Sequence, residues 1–358
     1  MAHRIAVVPG DGIGREVTPE AQRVLDRCGE IWSFELEWSL FEWGCEYYLN
    51  TGRMMPEDGL EQLRQHEAIF LGAVGYPGVP DHVSLWGLLI PIRRTFQQYI
   101  NLRPVRLFDG IESPLRKASA GELDFVIVRE NNEGEYSEIG GRLYRQTEHE
   151  LAVQQSTFTR RGTERVIRYA FELAQERNGV LASATKSNGI IHTMPFWDEI
   201  FAQVSADFPE VETGQYHIDA LSALFVLKPQ SLDVVVASNL FGDILSDLGA
   251  AVAGSIGIAP SANLNPEREY PSMFEPVHGS APDIAGRGIA NPIGQIWSGA
   301  MMLEHLGHPE AAAGVVSAIE RVLGETSIRT PDLGGASSTA EVTDAVLGAL
   351  NEQAGARP

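Results

Sequence analysis

Between Ser238 and Leu248 the chain reads SNLFGDILSDL, placing Asp243 and Asp247 four residues apart. At helical spacing both carboxylates lie on one face, and like charges so placed weaken an isolated helix. Leu240, Phe241, Ile244, Leu245 and Leu248 flank them. A carboxylate in apolar surroundings needs a partner. Asn239, at the start of the pattern, is placed to cap the helix. For a lone exposed pair, complementing the helix dipole would be reason enough, at ~0.3–1 kcal/mol each. The apolar flanks favour a divalent cation instead. Two or three carboxylates with waters and substrate oxygens suit Mg²⁺ or Mn²⁺, and Asp219 in HIDA offers a third oxygen donor.

Three further sets of residues carry chemistry. LIPIRRTFQQYINLRPVRL holds Arg93, Arg94, Arg103 and Arg106, and IVRENNEGEYS adds Arg129 at the end of a strand-like run. Arg93, Arg103 and Arg129 suit paired hydrogen bonds to carboxylates; Arg94 and Arg106 read as solvated surface charge. Tyr136 in EGEYS and Lys186 in ATKSNG each follow such a run. Together they offer a proton donor and a base. PGDGIG supplies Gly10, Gly12 and Gly14, a weak dinucleotide signal because the fingerprint wants G-x-G-x-x-G and a later acidic residue. FEPVHGSAPDIAGRGIANP is richer, with small residues that let a nucleotide approach and an Asp for ribose hydroxyls.

Something must position these groups. Short β-branched runs (RIAVVPG, AIFLGAVG, DFVIVREN, GVLASATK, LDVVVASN) alternate with helical patterns such as TERVIRYAFELAQERN. That alternation predicts an α/β fold with a largely parallel sheet. Pro19 suggests that the first helix begins late or kinks. Ser338 and Glu341 form a capping box before the last amphipathic run. The polar segment GGRLYRQTEHELAVQQSTFTRR reads as a long hairpin, an arm for a second subunit or an excursion over its own domain. The 358 residues allow about two domains.

The formal net charge of −21 argues against nucleic acid and anionic membranes as partners. No apolar run reaches the roughly 18 residues of a membrane span, and MAHRIAVVPG lacks the pattern of a secretory signal. Cys28 and Cys45 form no C-x-x-C, which fits a reducing cytoplasm.

Taken in order, these blocks resemble the β-decarboxylating dehydrogenases, the family of isopropylmalate, isocitrate and tartrate/D-malate dehydrogenases. NLFGDILSDLGAAVAGSIGIAPSANL is the most specific; NLRPVRL, VRENNEGEYS and EPVHGSAPDIAGRGIANP match as well. The resemblance implies a two-domain fold with mixed sheets, flanking helices and a non-standard dinucleotide-binding fold. Residues 1–98 with 255–358 would form the first domain and 99–254 the second, with a dimerisation arm at about 134–160. It implies a homodimer with shared active sites. Arg93, Arg103 and Arg129 would bind a small dicarboxylate. Asp243 and Asp247 would ligate the metal, with Asp219 arriving from the other chain. Lys186, also from the partner, would be the base, and Tyr136 would protonate the enol. Asn188 would lie near the nicotinamide. Ile13, Glu275, His278, Gly279, Ser280, Ala281, Asp283 and Asn291 would hold the rest of the cofactor. Asp283–Ile284 resembles the NAD-using members. The implied cofactors are NAD, Mn²⁺ or Mg²⁺, and K⁺.

Within the family, VPDHVSLWGLLIP precedes the first arginine and reads the substrate's variable group. The leucine-pathway enzyme has Glu where this chain has Trp86, and isocitrate enzymes have Ser where it has Gly87. Trp86 therefore points to a small substituent, as in tartrate or D-malate, while Leu89 and Ile90 stay apolar and leave isopropylmalate as a weak substrate. The alternative is a 3-isopropylmalate dehydrogenase. A non-catalytic regulatory subunit of this fold is disfavoured, because Lys186, Tyr136 and the three Asp are all present.

Overall fold

A computed structural model describes residues 2–116 and 118–355. The chain divides into two compact units: Met1–Gln98 with Leu102–Leu123 and Ala250–Pro358, and Tyr99–Asn101 with Asp124–Gly249. The boundaries expected from sequence put 102–123 in the second unit; the contacts put them in the first. There the Leu107 N–H donates to the Leu123 carbonyl at 2.9 Å, and Ser113 Oγ donates to the Val252 carbonyl at 2.6 Å. Those bonds also draw the start of the 250–254 segment into the first unit.

In the first unit the strands lie in the order Glu35–Leu40, Ala2–Gly10, Ala68–Ala73, Ser272–Pro276 and Pro260–Leu264. Neighbours run parallel except the last pair, which is antiparallel. Ala68–Ala73 is buried at every residue, as expected of a strand covered on both faces. The helix Gly14–Trp32 buries Val17, Ala21, Val24, Leu25 and Cys28, one stripe at helical spacing. It begins five residues before Pro19, not after it. Tertiary anchoring explains the early start: the Ile13 N–H donates to the Ser280 carbonyl at 2.9 Å, and the Ile13 carbonyl accepts from Glu16 and Val17, both at 2.9 Å. The capping box forms as read. Ser338 N–H donates to Glu341 Oε2 at 2.7 Å, and Glu341 N–H returns to Ser338 Oγ at 3.3 Å.

In the second unit Asp124–Glu130, Val234–Ala237, Val180–Thr185 and Glu212–His217 pair in that order, all parallel. Parallel pairing delivers the residues after each strand to the same end of the sheet. Arg129 is the penultimate residue of the first strand, Asn239 comes just after the second, Lys186 after the third and Asp219 after the fourth. That end is where α/β sheets place ligands. Phe171, Phe201 and Phe208 stack in the core beneath. The polar segment is a hairpin, Gly140–Leu143 antiparallel to Leu151–Gln154, exposed along its whole length.

Candidate active site

The helix Asn239–Val252 carries Asp243 half-buried and Asp247 exposed. The charge over Asp243 comes from within the unit. Arg129 Nη1 donates to Asp243 Oδ1, and Tyr136 Oη donates to Asp243 Oδ2 at 2.9 Å. Arg129 is 3% exposed. It also donates to Asn239 Oδ1 from Nη2 at 2.7 Å and from Nε at 3.2 Å. Asn239 is therefore no cap: it is the first helical residue, and its side chain is turned to Arg129. Glu135 takes over the helix start, accepting from the Leu240 N–H at 3.0 Å and from Ser238 Oγ at 2.8 Å. A carboxylate there is favoured by the positive end of the helix dipole. Gly242 lets the arginine cross the helix, since a Cβ would stand 2.6 Å from Arg129 Cβ.

The apolar flanks of the Asp pair divide. Phe241 and Leu245 are buried, whereas Leu240 and Ile244 are exposed. Glu130, next to Arg129 and fully buried, accepts from the Asn132 and Glu133 N–H groups. Burial pushes its carboxyl up to about 7.

Lys186 and Asp219 form a second cluster. Lys186 Nζ donates to Asp219 Oδ1 at 2.5 Å, and this bond holds the Asp219 carboxyl below its usual range. Among the described residues no group of three or more His, Cys, Asp and Glu side chains is gathered as a metal site. Within one chain, then, Asp219 does not complete a triad with Asp243 and Asp247. Asn188 is exposed in the turn after Lys186.

In the first unit Arg93 is buried and Arg103 is 7% exposed. Arg93 Nη2 donates to Glu275 Oε1 at 2.7 Å, and Asn263 Nδ2 donates to the same oxygen at 2.8 Å. Glu275, expected at the cofactor, thus has one oxygen committed to an arginine expected at the substrate. Neither Asn263 nor Glu135 was marked by any spacing. The segment before Arg93 winds as α-helix Asp81–Ser84, π-helix Leu85–Leu89 and α-helix Ile90–Thr95. The Ile90 N–H reaches back to the Leu85 carbonyl, and Pro91 has no N–H to restore α spacing. Such wide turns recur at functional sites. The Arg94 guanidinium lies 5.0 Å from the Trp86 ring centroid, so Arg94 is not the free surface charge expected. Leu89 packs on the core cluster containing Leu88 and Ile92. Trp86, Gly87, Met54 and Val83 line a cavity of about 480 Å³. A Cβ on Gly87 would meet Met54 Cγ at 2.6 Å.

The glycine loop after the first strand is no phosphate cradle. Gly10 and Gly12 have φ of +70° and +53°, and an added Cβ would stand 1.9 Å from the Ala73 carbonyl oxygen and 2.0 Å from that of Ser280. The intervening amides are spent: Asp11 N–H donates to the Ala73 carbonyl at 2.7 Å, and Ile13 N–H to Ser280. The loop instead carries the second glycine segment. Ile13 packs with Ala281, Ile284, Ala285 and Ala290, and Asp283 is exposed on the turn they support. His278 is 7% exposed. Its Nδ1 lies 3.0 Å from the Gly279 carbonyl, so Nδ1 carries the hydrogen. Nε2 is buried without a hydrogen-bond partner, and burial lowers the pKa, favouring neutral imidazole. An acceptor is left waiting for a donor, as a nucleotide would supply. Asn291 Oδ1 accepts from the Ile293 N–H, and its Nδ2 donates to Asp332, both at 3.0 Å.

The isocitrate/isopropylmalate dehydrogenase family model matches residues 4–346. Over 351 residues the chain is 57% identical to a protein named D-malate dehydrogenase [decarboxylating] of Escherichia coli (strain K12), covering 96% of this chain and 97% of that one. It is 55% identical over 350 residues to a probable tartrate dehydrogenase/decarboxylase of Bacillus subtilis (strain 168), covering 97% and 98%. The crystal structure of isocitrate dehydrogenase from Methylococcus capsulatus superimposes with a TM-score of 0.88 at 33% identity, covering 97% of this chain and 99% of that one.

Proposed function

The chain belongs to the isocitrate/isopropylmalate dehydrogenase family, and from that premise we propose that it oxidises and decarboxylates D-malate or tartrate with NAD and Mn²⁺ or Mg²⁺, K⁺ accompanying them. The observation that carries this reading is the near full-length similarity to two enzymes named for those substrates. The donor set supports the metal class: Asp243, Asp247 and Asp219 offer only carboxylate oxygens, which hard dications prefer. The unpartnered Nε2 of His278 supports an adenosine contact. When bound, NAD accepts a hydride and the dication stabilises charge on the substrate oxygen.

The chain's own residues do the rest. Arg93, Arg103 and Arg129 hold the carboxylates through paired N–H donors. Binding by Arg129 requires Asp243 to turn to another partner, and a dication held by Asp243 and Asp247 would be one. Lys186 takes the substrate hydroxyl proton at Nζ once Asp219 has likewise turned away. The carbon–carbon bond to the carboxylate β to the new carbonyl then breaks, and its electrons form an enolate. Tyr136 Oη supplies the proton to carbon. Ile13, Gly279, Ser280, Ala281, Asp283 and Asn291 shape the adenosine side, and Asn188 the nicotinamide side.

Lys186 and Asp219 serve the partner's site in a homodimer. Exposed apolar side chains on the second unit support this: Leu227 at 74%, Ile191 at 67%, Ile244 at 52% and, on the hairpin, Leu143 at 58%. Exposed apolar side chains mark interfaces where they gather into a contiguous patch. Among the described residues no helix is long and apolar enough to cross a membrane, and the free, buried cysteines support a cytoplasmic enzyme.

A kinetic panel tests the reading: D-malate, L-tartrate, meso-tartrate and 3-isopropylmalate, each with NAD, with and without Mn²⁺. NADH should form with D-malate or a tartrate, and only with metal. Turnover of isopropylmalate far above the others would reassign the substrate.

A further inference from the structure

We propose that Glu16 is a positioning residue for NAD, a clamp that fixes the cofactor loop through two backbone N–H groups. The inference rests on the cofactor role assigned above to Asp283 and His278. Glu16 stands in the first turn of the helix Gly14–Trp32 and is half-buried. Its Oε1 accepts from the Gly286 N–H at 2.5 Å and its Oε2 from the Gly288 N–H at 2.8 Å. Both glycines sit in the left-handed region, with φ of +78° and +62°. No atom lies within 4 Å of where either Cβ would be. Glycine is therefore required there by conformation and not by crowding.

A reversal built on two such residues has little packing of its own. Gly286 and Arg287 are exposed. What holds the reversal is the carboxylate, together with the Arg287 N–H on the Ile284 carbonyl at 3.2 Å and the Thr339 N–H on the Gly288 carbonyl at 2.9 Å. Just before it comes the turn in which the Ala281 carbonyl accepts from Ile284 and Ala285. That turn carries Asp283. Its apolar side is pinned by Ile13, one helical turn from Glu16. The same helix start thus grips the loop twice, through apolar contacts on either side of Asp283 and a charge-assisted pair after it. Hydrogen bonds from N–H groups to a carboxylate are among the stronger ones. With them released, Asp283 would sample many positions and NAD would have to order the loop on binding.

Glu16→Gln keeps the length and leaves one acceptor; Glu16→Ala leaves none. Two measurements are made on each full-length variant: the NAD dissociation constant by titration without substrate, and amide hydrogen exchange. NAD should bind about tenfold more weakly in Glu16→Ala and less weakly so in Glu16→Gln, with kcat at saturating NAD within about twofold of the unaltered enzyme; tenfold corresponds to ~1.4 kcal/mol. Exchange should quicken in peptides covering 279–290 and stay unchanged in the Ala68–Ala73 strand. Unchanged NAD affinity would overturn the inference. So would exchange that quickened equally in loop and strand, since that reports a general loss of stability. If the unaltered chain did not bind NAD at all, the function proposed above would fail, and the exchange of 279–290 would still decide whether Glu16 clamps the loop.

Discussion

Arg129 in the second unit and His278 in the first are buried to similar depth, 3% and 7% exposed, and they are held in opposite ways. Arg129 is bonded on three nitrogens to the side chains of Asn239 and Asp243. His278 is tied to backbone at Nδ1, and its Nε2 has no hydrogen-bond partner among the described residues. The residues around Arg129 are thus paired in advance, and a ligand at that arginine would have to displace one of its partners. The His278 side keeps one acceptor in reserve, and its loop is held largely through backbone N–H groups. Electrostatics governs the first, because a buried charge without a partner is costly. The second depends on loop conformation, whose cost is entropic.

That contrast can be broken most forcefully at the proton-transferring groups. Tyr136→Phe and Lys186→Met should each lower kcat by roughly 10²–10⁴, the usual contribution of a positioned acid or base. Melting temperatures should stay close to that of the unaltered enzyme. A drop under fivefold in both would remove the assigned roles.

Glu130 sharpens the electrostatic side. Its carboxyl is raised from 4.5 to about 7 by burial, so the folded state favours the protonated form. The associated stability is present below pH 4.5 and is lost as pH rises through about 7. The loss should approach about 3 kcal/mol. Glu130→Gln, neutral throughout, should flatten the decline of the urea midpoint between pH 5 and 8. Parallel curves for the two proteins would count against a raised Glu130.

Arg129→Lys keeps the charge but cannot serve Asn239 and Asp243 together. It should raise KM for the dicarboxylate about 10- to 100-fold, as expected for losing charged hydrogen bonds of about 1.5–3 kcal/mol. The smallest effect belongs to the other half. His278→Ala should weaken NAD binding by only about fivefold, the worth of one ordinary hydrogen bond of about 1 kcal/mol. Equal losses from these last two variants would erase the distinction drawn between the halves.

The residues proposed to carry chemistry were legible by type and by their place along the chain, which are local features, although each taken singly also has a structural use. The alternation of strands and helices, the hairpin and the Ser338–Glu341 box were legible for the same reason: they arise from local periodicity and hydrogen-bonding geometry. Tertiary structure decided which groups meet. Nothing in the spacing of residues 129, 136, 239 and 243 says that one arginine bridges Asn239 and Asp243 while Tyr136 shares the second oxygen; parallel strand order does that. Nor could the glycines of PGDGIG reveal that they press against Ala73 and Ser280 instead of holding phosphate, since close backbone approach depends on a partner far along the chain. Pro19 misled on where the first helix starts for the same reason. Its effect on the helix was local, whereas the anchor at Ile13 that started the helix earlier came from residue 280.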